Sequence, residues 1–423
     1  SIEKQLRQFT SKKRKKPFFP WELYFSEVFV EKNGFDIVIA NPPYITYKGK
    51  QIVNTPDHII EFYLNNYKNS AEYKINSFAL FIERGFSVLK KRGIISYIIP
   101  TTILHNHYLG KIRKYIIREH HIDFILVFND KVFEAVTDSL ILQCRKAKIK
   151  EQTKIKNVSN IANIKENEFQ FIDQIIWDNN KRGYVINTQT NPTDREIISE
   201  IERGSLPLDE FLDVYVGVVA SGIKSFLSKT KLNDNYKKYL QGRHLRKFYY
   251  QPEKLFINFD VENLHSNTNE MVYEQFEKLL VRKTGSNLIA SYDNRQYYTD
   301  QSIYNLYTEK TSSLSLKFLC ALLNSKLLNW YFNKVLITNK DVFPYIKAIH
   351  LKQLPIIEVQ DNTQQPIIKL VNQILEVAHK SNDLHKNRVD SQIKLAEESI
   401  DHLVYKIYGL SERQINHIEQ TKI

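Results

Sequence analysis

Two rhythms of apolar and polar positions alternate along the first third of the chain. Residues 37–40 (Ile-Val-Ile-Ala) are short, mostly β-branched and bounded by turn formers, which predicts a buried parallel strand covered on both faces. A polar, tyrosine-rich stretch at 45–75 reads as an insert. Residues 76–90 then change to helical spacing, with Phe78, Phe81, Ile82, Phe86 and Leu89 in register, and Gly93 is placed to cap that helix. Further strands are predicted at 94–99, 122–128 and 139–144, with a helix at 107–119. This order predicts an α/β fold with a doubly wound sheet over residues 1–150. Residues 151–204 carry a weak pattern with Asn-rich turns and read as a connector. Residues 205–358 read as a second, mixed α/β domain, with a strand near 279–281 running into a basic turn and one long amphipathic helix over 314–332. A helical segment, 359–423, closes the chain, with apolar faces at 367–378 and 395–408 and Gly409 as a helix stop.

Composition narrows the class. The chain has 423 residues, 42% of them hydrophobic and 25% charged, which are globular values. A formal charge of +13 favours a polyanionic partner, with DNA or RNA first. Cys144 and Cys320 are the two cysteines and both lie in apolar segments, which argues against a disulfide scaffold and fits a reducing cytoplasm. No apolar run approaches the ~20 residues of a membrane span, and no metal-ligand cluster is visible in the sequence. The basic run at 12–16 reads first as a solvated loop and second as a phosphate grip.

The chemistry concentrates at Asn41-Pro42-Pro43-Tyr44, where the first strand stops. Two prolines fix a rigid loop at the carboxyl end of a strand, which is where open α/β sheets bind ligands. The loop offers an amide, two carbonyls without a competing N–H, and an aromatic face. It resembles the catalytic loop of amino-group methyltransferases that use S-adenosylmethionine, above all the DNA adenine-N6 enzymes. The resemblance implies that the Asn41 Oδ1 and the Pro42 carbonyl accept the two N–H groups of an adenine amine and localise its lone pair. It implies that Tyr44 stacks on a base pulled out of the duplex. On the same resemblance, residues 77–81 line an adenosyl pocket, making Phe78 and Phe81 cofactor candidates, with core packing the other reading of Phe81. Phe133, within Lys131-Val132-Phe133-Glu134-Ala135, would contact the extruded adenine. The aromatic stretch at 17–29 is similar to the segment before this loop in Eco57I-like type II restriction–modification methyltransferases; Trp21 and Phe25 are expected to pack on the sheet.

Residues 205–358 resemble the TaqI-like target-recognition domain of the same enzymes. The likeness rests on Leu240-x-Gly242-Arg243 with Arg246, on Arg282-x-Thr284-Gly285, on Leu322-Leu323-Asn324-Ser325-Lys326 and on Leu354-Pro355-Ile356. It implies that Gly242, Arg243, Arg246, Arg282 and Lys283 lie at the DNA, the basic side chains on phosphates or base edges. The fold implied for residues 1–150 is the C-terminal half of a Rossmann-like methyltransferase sheet. No glycine-rich turn precedes the Asn41 loop. The chain is therefore expected to be a C-terminal fragment or one half of a split enzyme, to bind S-adenosylmethionine weakly or not at all alone, and to rely on an N-terminal portion or partner subunit carrying the cofactor motif and a nuclease. Double-stranded DNA is the expected partner. A specificity module without catalysis, and a methyltransferase of a glutamine amide or an rRNA guanine, remain alternatives. Pro56-Asp57 followed by Glu72-Tyr73-Lys74 matches a nuclease pattern formally, with no room around it for a nuclease fold.

Overall fold

The computed structural model describes residues 19–47, 55–128, 138–149, 151–158, 168–179, 183–220, 222–261, 264–308, 313–336, 345–380 and 386–421. The chain divides into two compact units, Ser1–Gln189 and Thr190–Ile423.

The first unit is built on six strands: β1 (Phe35–Ala40), β2 (Leu89–Pro100), β3 (His121–Phe128), β4 (Ser139–Arg145), β5 (Gln152–Val158) and β6 (Gln170–Asp173). Their order across the sheet is β1-β2-β4-β3-β5-β6. β1 runs parallel to β2 and β3 parallel to β5, while the other neighbours are antiparallel. The sheet is therefore mixed rather than a doubly wound parallel sheet. The chain between Phe128 and Ser139 explains one reversal, because a parallel crossover needs a dozen or more residues. The Ser77–Val88 helix packs Phe78, Ile82 and Phe86 into the core with Ile95, Tyr97 and Ile99 of β2.

Two local expectations change here. β1 is an edge strand, and it is not covered on both faces: Val38 and Ala40 pack on the core, but Ile37 is 57% and Ile39 77% exposed. Gly93 does not cap the helix. The helix ends at Val88, β2 begins at Leu89, and Arg92 takes the left-handed conformation at φ 65°. Gly93 instead sits against β1, where a Cβ would come within 2.9 Å of the Phe35 carbonyl.

Residues 151–204, read as a connector, carry β5 and β6 of this sheet and then the Pro192–Glu202 helix of the second unit. Arg113 ties the end of the first unit down. It is 1% exposed and donates to the carbonyls of Ile103, Asn106 and Gly183. Burial lowers its pKa to about 10.

Among the described residues the second unit holds two four-stranded sheets, a pair formed by β7 (Ser205–Pro207) and β16 (Pro355–Ile357), and a helical layer. One sheet has the order β13-β12-β15-β8, formed by Ala290–Asp293, Lys278–Arg282, Ile303–Tyr307 and Asp213–Val216, all antiparallel. The other joins β14 (Tyr298–Thr299), β10 (Tyr236–Leu240), β11 (Phe256–Asn258) and β9 (Leu227–Ser228). Under the first sheet Lys278 and Asp293 form an ion pair at 2.7 Å, both fully buried. Such a pair persists only when its other bonds are filled. Here Lys278 also donates to the Tyr273 carbonyl at 2.7 Å, and Asp293 accepts from the Tyr250 hydroxyl at 2.9 Å.

The expected long helix at 314–332 is broken. It forms as Leu316–Asn324 and Lys326–Tyr331, because Ser325 between them is extended (ψ 149°) and its hydroxyl accepts from the Leu328 N–H. The residues around the break are structural. Asn324 gives and accepts a hydrogen bond with the Ala290 backbone, at 2.7 and 3.0 Å, and Asn329 accepts from the Leu288 N–H at 2.7 Å. The C-terminal helices are Asp361–His379, Lys386–Ile407 and Glu412–Gln420. Gly409 does end the second of them, at φ 70°.

Candidate functional site

β1 delivers the loop at 41–44 to the carboxyl end of the parallel β1–β2 pair. Asn41 is exposed, and its side chain makes no hydrogen bond among the described residues. Pro42 is buried, while Pro43 is exposed and Tyr44 is 37% exposed. The loop is held from behind by Ser77, the first residue of the Ser77–Val88 helix. Its hydroxyl donates to the Pro43 carbonyl and accepts from the Ile45 N–H at 2.9 Å, and the Ser77 N–H returns to the Ile45 carbonyl at 2.8 Å. The Tyr47 N–H bonds the Ile75 carbonyl, so the chain after Tyr44 runs as a short antiparallel bridge. The Tyr44 hydroxyl donates to the Ile98 carbonyl at 3.2 Å, at the carboxyl end of β2. Burial holds this phenol above its ordinary pKa, with the Ser139 hydroxyl acting the other way. One amide thus remains free to bond outward beside a ring fixed at its far end.

The two aromatic cofactor candidates separate. Phe78 is 3% exposed and meets Tyr44 edge-on at 6.4 Å. Phe81 is 44% exposed, and its carbonyl accepts from the Tyr97 hydroxyl. Phe133 lies outside the described residues, as does the basic run at 12–16. Trp21 and Phe25 pack edge-on to Phe35 of β1, at 5.9 and 5.2 Å.

The nuclease-like pattern does not assemble. Asp57 opens a helix (Asp57–Asn66), Glu72 accepts from the Lys111 N–H, and Lys74 lies 5.0 Å above the Tyr108 ring. Among the described residues no three His, Cys, Asp or Glu side chains are grouped to hold a metal.

In the second unit, three of the five expected DNA residues present their side chains together. Arg243 is exposed and pairs with Glu253 at 3.0 Å. Arg246 donates to the Arg243 and Leu245 carbonyls at 2.8 and 2.9 Å. Arg282 donates to the Thr284 carbonyl, and its pKa is lowered by burial and then by nearby Arg246. Gly242 and Lys283 are placed differently. Gly242 is buried, its N–H donates to Ser302 Oγ at 3.0 Å, and a Cβ would lie 2.7 Å from that oxygen. Lys283 is 7% exposed, with Nζ 4.9 Å from the Tyr304 ring centre and 5.2 Å from that of Tyr345. Neither leaves a side chain free to reach a phosphate.

Two family models match this chain. The Eco57I restriction-modification methylase model matches residues 1–133, and the TaqI-like C-terminal specificity domain matches residues 237–356. The chain has the two-part architecture of Eco57I/TaqI-like restriction–modification methyltransferases. Among curated proteins it is similar to the type II methyltransferase M.AccI of Acinetobacter calcoaceticus, at 27% identity over 151 residues, covering 34% of this chain and 26% of that protein. It is also similar to the type II restriction enzyme and methyltransferase RM.Eco57I of Escherichia coli, at 30% identity over 104 residues, covering 24% of this chain and 10% of that protein. These matches span about a quarter or less of either relative. The fold is similar to that of the type IIL restriction-modification enzyme MmeI, solved in complex with DNA, with a TM-score of 0.58 and 13% identity over 95% of this chain and 57% of that one. No helix among the described residues is long and apolar enough to cross a membrane.

Sequence reasoning missed the part Ser77 plays. A serine at a helix start reads as a cap, but this hydroxyl turns to the loop.

Proposed function

We propose that this chain acts in site-specific DNA adenine-N6 methylation within a restriction–modification system, its first unit activating the target amine and its second reading DNA. The observation that carries the reading is the exposed Asn41 amide, unbonded among the described residues, beside a Tyr44 ring anchored at its hydroxyl. An exocyclic amine is a weak nucleophile because its lone pair is drawn into the ring. Asn41 Oδ1 and the Pro42 carbonyl would each accept one N–H, which localises that pair and stabilises the charge that grows on nitrogen. Tyr44 would stack on the extruded base, an interaction worth roughly 1–3 kcal/mol. The Ser77 staple keeps the acceptors in place before substrate arrives.

S-Adenosylmethionine would supply the methyl group. Of the two rings expected at its adenosyl moiety, Phe81 alone is open to a ligand, and Phe78 is core. Among the described residues one of the two expected rings is thus placed to meet it. The edge of β1, with Ile37 and Ile39 turned outward, offers a surface on which a further element carrying the adenosyl pocket would pair. The shortfall also favours a second reading, in which this chain by itself serves as a DNA-specificity module.

For the second unit, the grouping of Arg243, Arg246 and Arg282 supports a phosphate-contacting face. The test is sequencing of methylated bases in DNA from cells that express the protein. N6-methyladenine at one recurring motif, lost in Asn41→Ala, is the expected result. Methylation at cytosine, or methylation that survives Asn41→Ala, overturns the reading.

A further inference from the structure

The second unit holds a cavity of about 430 Å³ between β13, the Leu316–Asn324 helix and the Asp361–His379 helix, a size within the range of small-ligand sites. Its charge is lopsided. Lys317 Nζ lies 5.1 Å from the Tyr292 ring centre, on the cavity wall. Lys369 and His379 reach it from the long helix. Arg295 Nη2 stands 3.4 Å from His379 Nε2 and donates to the neutral imidazole. Burial and then Arg295 hold His379 below its ordinary pKa. Among the described residues none of these four has a carboxylate partner. The one carboxylate on the wall, Glu376, is turned to Lys380 at 3.5 Å. Beyond the wall, Glu277 bonds the Tyr292 hydroxyl, and Asp390 and Glu397 act on Tyr249.

Three cations around a concavity, Lys317, Lys369 and Arg295, suit an anion. The rest of the wall has a different chemistry. Tyr249 offers a half-buried ring, and the amides of Asn294, Asn372 and Gln373 present donors and acceptors together. A π face with amide edges suits a nucleobase, and the cations suit its phosphate.

We infer that this cavity binds a nucleoside phosphate, with the base against Tyr249 and the amides and the phosphate between Lys317, Lys369 and the Arg295–His379 pair. The site belongs to the second unit and does not depend on methyl transfer. The same unit of chemistry comes either as a free nucleotide or as part of a DNA strand.

Titration calorimetry of this chain with AMP, adenosine and inorganic phosphate, and anisotropy with a labelled duplex, test the inference and separate the sources. Lys369→Ala with His379→Gln changes only exposed side chains, and Lys380→Ala is the neighbouring control. For a free nucleotide, AMP binds at least tenfold more tightly than adenosine or phosphate, and the double variant loses at least tenfold while K380A does not. For a strand, AMP binding is absent, but the double variant weakens the duplex and lowers the salt slope by about one, again unlike K380A. The inference is overturned if the double variant changes neither AMP nor duplex binding, or if inorganic phosphate binds as well as AMP.

Discussion

The Ser77 hydroxyl donates to the Pro43 carbonyl, and the same oxygen accepts from the Ile45 N–H, so one side chain staples the backbone on both sides of Tyr44. Ser77→Ala removes both bonds and leaves a polar contact unfilled at a fully buried position. The expected cost is about 1–3 kcal/mol of stability, read by denaturant unfolding. Methylation should lose kcat more than KM, because the acceptors are then no longer preset. An unchanged kcat would remove Ser77 from the positioning of the loop.

Asn41 has the opposite profile. Its amide is exposed and unbonded, so Asn41→Ala should leave stability within about 0.5 kcal/mol. The rate should nevertheless fall by about 10²–10³, the scale of a lost oriented hydrogen-bonding group. A large drop in the unfolding midpoint would mean that the side chain holds the fold.

The arginines and the buried lysine should separate in DNA binding. Arg246→Ala should weaken binding and lower the salt slope by about one, the value for a single phosphate contact. Lys283→Ala should leave the slope alone and cost stability, since its ammonium lies between Tyr304 and Tyr345. Equal salt slopes for both variants and wild type would place Arg246 away from the backbone of DNA.

His120 should make the first unit sensitive to acid. Its ring stacks on Phe86 at 3.7 Å, neither ring nitrogen has a hydrogen-bond partner among the described residues, and burial drops its pKa to about 4. A pKa depressed in the folded state means that stability is intact above the ordinary value of 6.5 and is lost as pH falls toward 4. The full effect is on the order of 3 kcal/mol. His120→Phe should flatten that part of the pH profile of unfolding; an unchanged profile would show that His120 protonates freely in the fold.

Asp401 acts with the reverse sign in the second unit. Burial raises its pKa to about 6, although it accepts from the Lys326 N–H at 2.8 Å. A raised pKa in the folded state gives stability that is complete below the ordinary 3.8 and is lost as pH rises through 6. Asp401→Asn keeps an acceptor for Lys326 and should be more stable than wild type at pH 8 by up to about 3 kcal/mol. A less stable variant at that pH would mean that the carboxylate charge itself is needed.

Much of the first unit was legible because its signals are local. The strand edges at 94–99, 122–128 and 139–144 and the helix at 107–119 follow from apolar spacing, and the strands form within one to five residues of those bounds. What could not be read there is long-range. Nothing in residues 37–40 tells that one face stays open to solvent, since a β-branched run looks alike on an edge and in a sheet centre. The attachment of residues 152–158 and 170–173 to the same sheet depends on partners remote in the chain. In the candidate site, Asn41, Pro42, Pro43 and Tyr44 stood out because two prolines interrupt a strand. Ser77 did not, because its bond crosses from one motif to another. The surroundings of Lys283 were hidden for a related reason: a basic residue next to a turn is usually solvated, and only the fold brings Tyr304 and Tyr345 to it.

Asn324 and Asn329 hold the strand region at 288–290 by its main chain, which is common to every amino acid. The clasp therefore places no demand on which side chains that strand displays. Leu288 and Ala290 are nevertheless fully buried in the core of this unit, so a substitution there is met by the packing around the strand and not by loss of the clasp.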